Sequence, residues 1–298
     1  MTKIKEHLQH LNKHKRDSIN GALWLAPSFL GVAMFYIVPF FVIVYYSLID
    51  NPVQANFVFL DNFISLFRNH AFMSGAANTL IFSGIAVPLA VVLSLMLALM
   101  LEARIPLKSY FRTFFLSPLM VPVASVVLIW QVIFHNNGAV NAMIVALGFD
   151  RTDWMQSEYS QIVVIVLFLW RNLGFNMILF MAALSNIPRE LLEIADVEGA
   201  GPFRKLVSIK MRYLSPTLLF VTILSLINSF RVFREVHLLT GDRPYGRLYM
   251  IQHFMNNIFQ ALDYQRLAAA AVVMTIAMVL IIAILFLIEN RYGRDVEE

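Results

Sequence analysis

The stretch from Ser18 to Ile49 runs 32 residues without an Asp, Glu, Lys or Arg. Crossing a hydrocarbon core of about 30 Å takes roughly 20 helical residues, and in that medium each backbone donor and acceptor must be satisfied inside the segment. The run therefore predicts a membrane-spanning helix. It exceeds the core of a signal peptide, about 7 to 15 residues, and no suitably placed small-residue cleavage site accompanies it, so it is expected to remain as an anchor. Five more stretches meet the same measure, which places spans at about 22–49, 77–101, 111–134, 160–186, 213–236 and 266–288. The fold class expected is all-α: a polytopic membrane protein of six transmembrane helices. Composition agrees, because 59% of the 298 residues are hydrophobic and 14% are charged, against about 25% charged in soluble domains.

Lysine and arginine counts in the short loops set the orientation. The 1–17 segment has five (Lys3, Lys5, Lys13, Lys15, Arg16), the 102–112 loop three (Arg104, Lys108, Arg112) and the 187–212 loop five (Arg189, Arg204, Lys205, Lys210, Arg212). The alternate side has one in 50–76 (Arg68), one in 135–159 (Arg151) and two in 237–263 (Arg243, Arg247). Both termini are thus expected in the cytoplasm, together with the 187–212 loop. The net charge of +4 is accounted for by these loops; no basic stripe suited to nucleic acid is present.

Residues 1–17 read as a basic interfacial or frayed segment, 18–290 as the transmembrane domain and 291–298 as a tail. His7, His10 and His14 fall at i, i+3 and i+7, but without a carboxylate at matching spacing they read as solvated histidines rather than a metal site. There is no cysteine, so disulfides and thiolate chemistry are excluded.

The 187–212 segment differs from everything around it. Pro188 and Pro202 suit first helical positions and Gly199 and Gly201 a turn, so it reads as two short helices around a sharp corner. Arg189, Glu193 and Asp196 share one helical face; Leu192, Ala195 and Gly199 share another. A loop that merely lies on the membrane is the alternative for such a segment taken alone. Glu193, Ala195 and Gly199 match the Glu-Ala-Ala, three residues, Gly pattern, with Ile194 in place of the middle alanine. Ile209 and Met211 follow at the offsets of an Ile-x-Leu-Pro continuation, with Arg212 where proline is usual.

In these residues the chain resembles the permease subunits of binding-protein-dependent ABC transporters, most narrowly the carbohydrate type of the maltose and glycerol-phosphate transporters. Phe57 to Phe63, Asn78-Thr79-Leu80, Gly138 to Asn141, Ser215-Pro216-Thr217, Phe233 to Gly241 and Asp263-Tyr264 resemble further landmarks of that family, over roughly residues 20 to 290. Asn78 also reads simply as a helix cap or interhelical hydrogen bond. The resemblance implies a coupling helix between spans four and five, with Glu193 as anchor in an ATPase cleft and Gly199 as the corner. It also implies four kinds of contact: a second homologous permease, two ATP-binding cassette subunits, an external solute-binding protein and the lipid bilayer. ATP and magnesium would belong to the ATPase partners, with no cofactor in this chain.

Arg171 lies 11 residues into span four, about 16 Å deep at 1.5 Å per residue. A midplane arginine costs about 2.5 to 3.5 kcal/mol on insertion scales, so it should face the bundle interior or a watery cavity. A substrate pathway and a structural ion pair are both open for it. Asn172 and Asn176 could share that environment or serve as interhelical glue. In span five, Asn228 and Arg231 belong with them as candidate pathway residues, although Arg231 and Glu235, at i and i+4, could instead neutralise each other. Trp130 and Trp154 fit an interfacial aromatic belt.

No Gly-x4-Gly-Lys-Ser/Thr loop, His-Glu-x-x-His or Gly-x-Ser-x-Gly occurs, so the chain does not read as an enzyme or as a holder of nucleotide. The reading is a membrane permease subunit of an ATP-driven carbohydrate importer. The alternative is a secondary transporter or channel subunit independent of ATP; the absence of detectable paired halves argues against the former.

Overall fold

The computed structural model of the protein describes residues 21–102, 108–242 and 244–292. The basic segment 1–17 with its three histidines, Arg104, Arg243 and residues 293–298 lie outside the described residues. Among the described residues the regular structure is helical, apart from one isolated antiparallel bridge between Ile49 and Phe57. In chain order the helices are α1 (Gly21–Ser47), α2 (Asp61–Arg68), α3 (His70–Glu102), α4 (Lys108–Met120), α5 (Val123–Ile133), α6 (Ala139–Ala146), α7 (Ser160–Ser185), α8 (Arg189–Val197), α9 (Pro202–Thr240), α10 (Ile251–Gln260) and α11 (Tyr264–Tyr292).

Five of these, α1, α3, α7, α9 and α11, are each long and apolar enough to cross a membrane. The stretch 111–134 is not the single helix that hydropathy suggested, and it makes a sixth candidate span only if its two helices are taken together. It is a pair, α4 and α5, bent by 101° at the break between them. Pro122 causes the break: it sits in an extended conformation as the N-cap of α5, it has no N–H to donate, and it disfavours helical backbone at Val121. Span five also differs from expectation. Pro202 opens a helix that never stops at Arg212 but continues through a wide π-turn, Leu206–Lys210, into Met211–Arg231 and on to Thr240. Between Phe203 and Ser215 there is no glycine or proline to end it. At 39 residues α9 is about 58 Å long, well beyond the ~30 Å hydrocarbon layer.

The described chain forms two compact units, one of residues up to 66 with 263–273, the other of residues 67–262 with 274 onward. In the first, the Asn62 amide donates to the carbonyls of Ser47 and Ile49, at 3.0 and 2.9 Å, and so closes the turn that leaves α1. The Asp263 carboxylate accepts from the backbone N–H of Arg266 and caps the start of α11.

In the second unit α3 packs along α7 and α9, and α4 along α7. Ala86, Ala90, Ser94 and Ala98, four residues apart on α3, are all fully buried. Small side chains at that spacing let helix backbones approach, which is the main route to close packing where hydrophobic drive is absent. One core joins Val87, Val91 and Leu101 of α3 to Met177, Phe180 and Leu184 of α7 and Leu214, Val221 and Leu226 of α9. A second joins Phe82, Val164 and Phe168 to Val232, Val236 and Met250. Trp130 is in a third core with Val163 and Leu167, stacked at 5.3 Å on Trp170. It is therefore packed inside protein and is not a belt residue.

Asn78 is neither a cap nor a helix-to-helix bond. Its amide donates to the carbonyls of Gly246 and Tyr249, at 2.8 and 2.9 Å, while the Thr79 hydroxyl accepts from the Ile251 N–H. Together they seat the start of α10 on α3. His253 of α10 is fully buried, with Nδ1 accepting from the Met250 N–H. Burial first, and the neighbouring His237 second, push its pKa down to about 4, against a smaller upward pull from Asp242.

Two outcomes follow from this packing. Above pH 6.5 His253 is neutral in folded and unfolded chain alike, and between 6.5 and about 4 only the unfolded chain takes the proton. The stability of the α10 region should then fall by up to about 1.4 kcal/mol per pH unit across that window, read as faster amide exchange in α10 at pH 5 than at pH 7.5 after correction for intrinsic rates. At Gly174 of α7 a Cβ would collide with the Phe115 carbonyl of α4, whereas at Gly84 of α3 it would meet nothing within 4 Å. Gly174→Ala should lower thermal stability in detergent by about 1–3 kcal/mol, and Gly84→Ala should be neutral or raise it by up to ~1 kcal/mol.

Candidate functional site

The first place of interest is the corner at 188–205. Pro188 is the N-cap of α8 rather than its first helical residue, and Pro202 is at the first position of α9. Between them Gly199 has φ +73°, a left-handed conformation that glycine adopts without a Cβ penalty. The Gly199 N–H donates to the Asp196 carbonyl at 3.0 Å and the Ala200 N–H to the Ala195 carbonyl at 2.8 Å. This paired closure, a Schellman motif, satisfies the last carbonyls of α8 and fixes the turn. An ion pair between Lys205 and Asp196 ties α9 back to α8 across the corner.

Ala195 is buried and Leu192 packs on the main core. Glu193 is exposed and has no hydrogen-bond or ionic partner among the described residues. Beside it Ile194 is 56% exposed and Val197 90%, so the outward side of this helix carries two aliphatic side chains as well as a carboxylate. Gly199 is exposed as well, and does not join the buried face of Leu192 and Ala195.

The second place is a cleft of about 200 Å³ between α7 and α9, near the midpoint of α7. Arg171, Asn172, Asn228, Arg231, Arg234 and Glu235 line it with Leu119, Leu167, Phe168 and Val232. Four of the five pathway candidates therefore meet. The Asn228 amide donates to the Asn172 side-chain carbonyl at 2.9 Å, and the Asn172 amide to the Phe168 backbone at 2.8 Å. Asn176 is apart: it is buried and donates to the Ser225 hydroxyl at 2.9 Å, which makes it interhelical glue between α7 and α9.

Arg231 and Glu235 do not pair. Glu235 Oε1 instead accepts from Arg171 at 3.0 Å, with Arg234 at 3.5 Å, and Arg231 has no acidic partner among the described residues. Of the pairings left open by the sequence, the one between Arg231 and Glu235 does not form and the ion pair open for Arg171 does, with a partner 64 positions away on another helix. Nothing in the local sequence distinguishes the two, although an arginine inside one spanning segment and a carboxylate within another is itself a hint that they meet.

The family described as "Binding-protein-dependent transport system inner membrane component" matches residues 90–298. The chain belongs to that family. This transport component is also 27% identical over 284 residues to the arabinooligosaccharides transport system permease protein AraP of Bacillus subtilis (strain 168), covering 88% of this chain and 85% of that one. It is 27% identical over 278 residues to the sn-glycerol-3-phosphate transport system permease protein UgpA of Yersinia enterocolitica, covering 91% and 94%. Its fold is that of a chain in a bacterial ABC transporter involved in the import of the acidic polysaccharide alginate, with a TM-score of 0.80 over 95% of this chain and 99% of that one at 22% identity. The chain is thus a multi-pass membrane protein of a transport family whose members here are permeases.

The Arg171 and Glu235 side chains are 19% and 9% exposed, so removing Glu235 strands Arg171, and removing Arg171 leaves Glu235 with only the more distant Arg234. Arg171→Leu or Glu235→Leu should each cost stability near the lower end of the ~3–5 kcal/mol seen for broken buried pairs. The double substitution should recover most of the loss, which a double-mutant cycle on thermal unfolding would measure.

Proposed function

We propose that this chain is one of two permease subunits of an ATP-driven importer for a carbohydrate, an oligosaccharide or polyol-like solute, in the bacterial cytoplasmic membrane. The corner at 188–205 carries the reading. It is stiff, it is seated on the core through Ala195 and Leu192, and it turns Glu193, Ile194 and Val197 outward. The chain has no phosphate-binding loop of its own. An outward-facing rigid lever on a helical bundle that lacks a nucleotide site suits an external motor. We assign α8 as the coupling helix, Glu193 as its anchor in an ATPase cleft, Ala195 as its seat and Gly199 as its corner. The lysine and arginine distribution supports cytoplasmic termini, with the corner on the same side.

The partners proposed are a second homologous permease, two ATP-binding cassette subunits that bind ATP and magnesium, and an external solute-binding protein. A cleft of about 200 Å³ is smaller than the ~300–1,000 Å³ usual for a small-molecule site. It fits one wall of a pathway whose other wall comes from the second permease. Arg171, Asn172, Asn228 and Arg231 form this wall, and Asn176 supports it from behind. The relatives' names supply the cargo class: arabinooligosaccharides, glycerol phosphate and alginate. Transport is by alternating access, in which ATP acts by favouring one arrangement of the bundle over the other in free energy.

A side chain at Gly199 would meet nothing within 4 Å of its Cβ in this chain, so the internal cost of Gly199→Leu is about 1–2 kcal/mol of left-handed strain. Against a docked ATPase the same side chain has no room. Gly199→Leu and Glu193→Ala should reach the membrane at normal levels yet lower ATP-dependent uptake and ATPase copurification by about tenfold or more. Normal uptake in both overturns the coupling role. Solute movement by the isolated subunit without any ATPase would favour a secondary transporter or channel instead.

A further inference from the structure

The charges around the cleft do not balance. Arg171, Arg231 and Arg234 face a single carboxylate, Glu235, so two positive charges remain over. Arg171 is spoken for by Glu235 at 3.0 Å. Arg234 touches the same oxygen only at 3.5 Å with its side chain 64% exposed, and Arg231 is exposed with no partner among the described residues. Positive-inside sorting explains lysines and arginines in loops, not three guanidinium groups gathered on two packed spanning helices.

The hydrogen-bond inventory is equally one-sided. Each guanidinium offers five N–H donors and no acceptor. Of the acceptors, Glu235 Oε1 is taken by the two arginines, Glu235 Oε2 is buried with no hydrogen-bond partner, and Asn172 Oδ1 is taken by Asn228. That leaves Asn228 Oδ1 and the second lone pair of Asn172 Oδ1 as the side-chain acceptors open to a ligand, against the unengaged donors of two guanidinium groups. A neutral sugar brings hydroxyls that both donate and accept, and asks for acceptors in return. A carboxylate or phosphate group only accepts, and the planar guanidinium fork matches it in a bidentate manner.

Resting on the permease reading above, we infer that the cargo is an acidic carbohydrate, bearing a carboxylate or phosphate that Arg231 and Arg234 engage as it passes Arg171. Arg231 is the specificity-determining residue, and the two asparagines meet the sugar hydroxyls beside the anion. Glu235 holds Arg171 in place and keeps the cleft from binding the anion too tightly to release it.

The test uses the full transporter, with its ATPases and binding protein, in proteoliposomes offered three labelled probes: trigalacturonate, sn-glycerol 3-phosphate and arabinotriose. ATP-dependent uptake is expected for a carboxylate or phosphate probe and not for arabinotriose, the two acidic arms telling which anion is preferred. Arg231→Gln should lower that uptake by about ten- to hundredfold, as expected for losing a hydrogen bond to a charged group, while Arg231→Lys, which keeps the charge but not the fork, recovers only part of it. Uptake of arabinotriose alone, or acidic uptake indifferent to Arg231→Gln, overturns the inference and leaves the importer standing. If no probe moves with ATP, both the inference and the carbohydrate importer reading fall.

Discussion

Hydrocarbon offers the backbone no hydrogen bonds, and almost every feature of this chain is a response to that fact. Long helices satisfy their own N–H and C=O groups. Polar side chains then find one another or the backbone: Asn176 with Ser225, Ser83 with Ser229, Arg171 with Glu235, each joining two helices. Because lipid does not drive helices together as water does, close approach falls to small residues, and the buried Ala86, Ala90, Ser94 and Ala98 of α3 with Gly174 of α7 supply it. The cleft exists because α7 and α9 are held near each other on both sides of it, by the core around Phe180 and Val221 and by that around Phe168 and Val236.

Within that frame the Arg171 and Glu235 pair has two roles. It neutralises a carboxylate that would otherwise be stranded in a low-dielectric interior, and it fixes the facing walls of α7 and α9 at one depth. Arg231, one turn before Glu235, is thereby left to face open space. A pair made along α9 itself would have left Arg171 unanswered against α7; the pair made across helices leaves the excess charge on the exposed Arg231 and Arg234 instead.

The membrane spans were legible in the sequence because the requirement of about 20 apolar residues is strict and the runs are long. The corner was legible because Pro188 and Pro202 have a fixed φ and Gly199 freely takes the left-handed conformation that a sharp turn needs. The bend in the third span was not, since hydropathy is continuous through Val121 and Pro122 and does not register backbone direction. The continuation of α9 through 206–210 was hidden by Lys205, Lys210 and Arg212, which read as the end of a helix but sit as well on one that outruns the bilayer. The partner of Glu235 was hidden for a different reason: local spacing favours Arg231, and only the packing of α7 on α9 brings Arg171 closer.

The unbroken course of α9 has a mechanical consequence. Arg231 lies 29 residues beyond Pro202 in one helical rod, which is roughly 44 Å along its axis. Helices resist stretching and bend little, so a small swing imposed at one tip is delivered to the other as a displacement of several ångströms, with the wide turn at Leu206–Lys210 as the compliant joint near the driven end. A rod of this kind can carry a motion between the corner and the cleft without a chain of intermediate side chains to relay it.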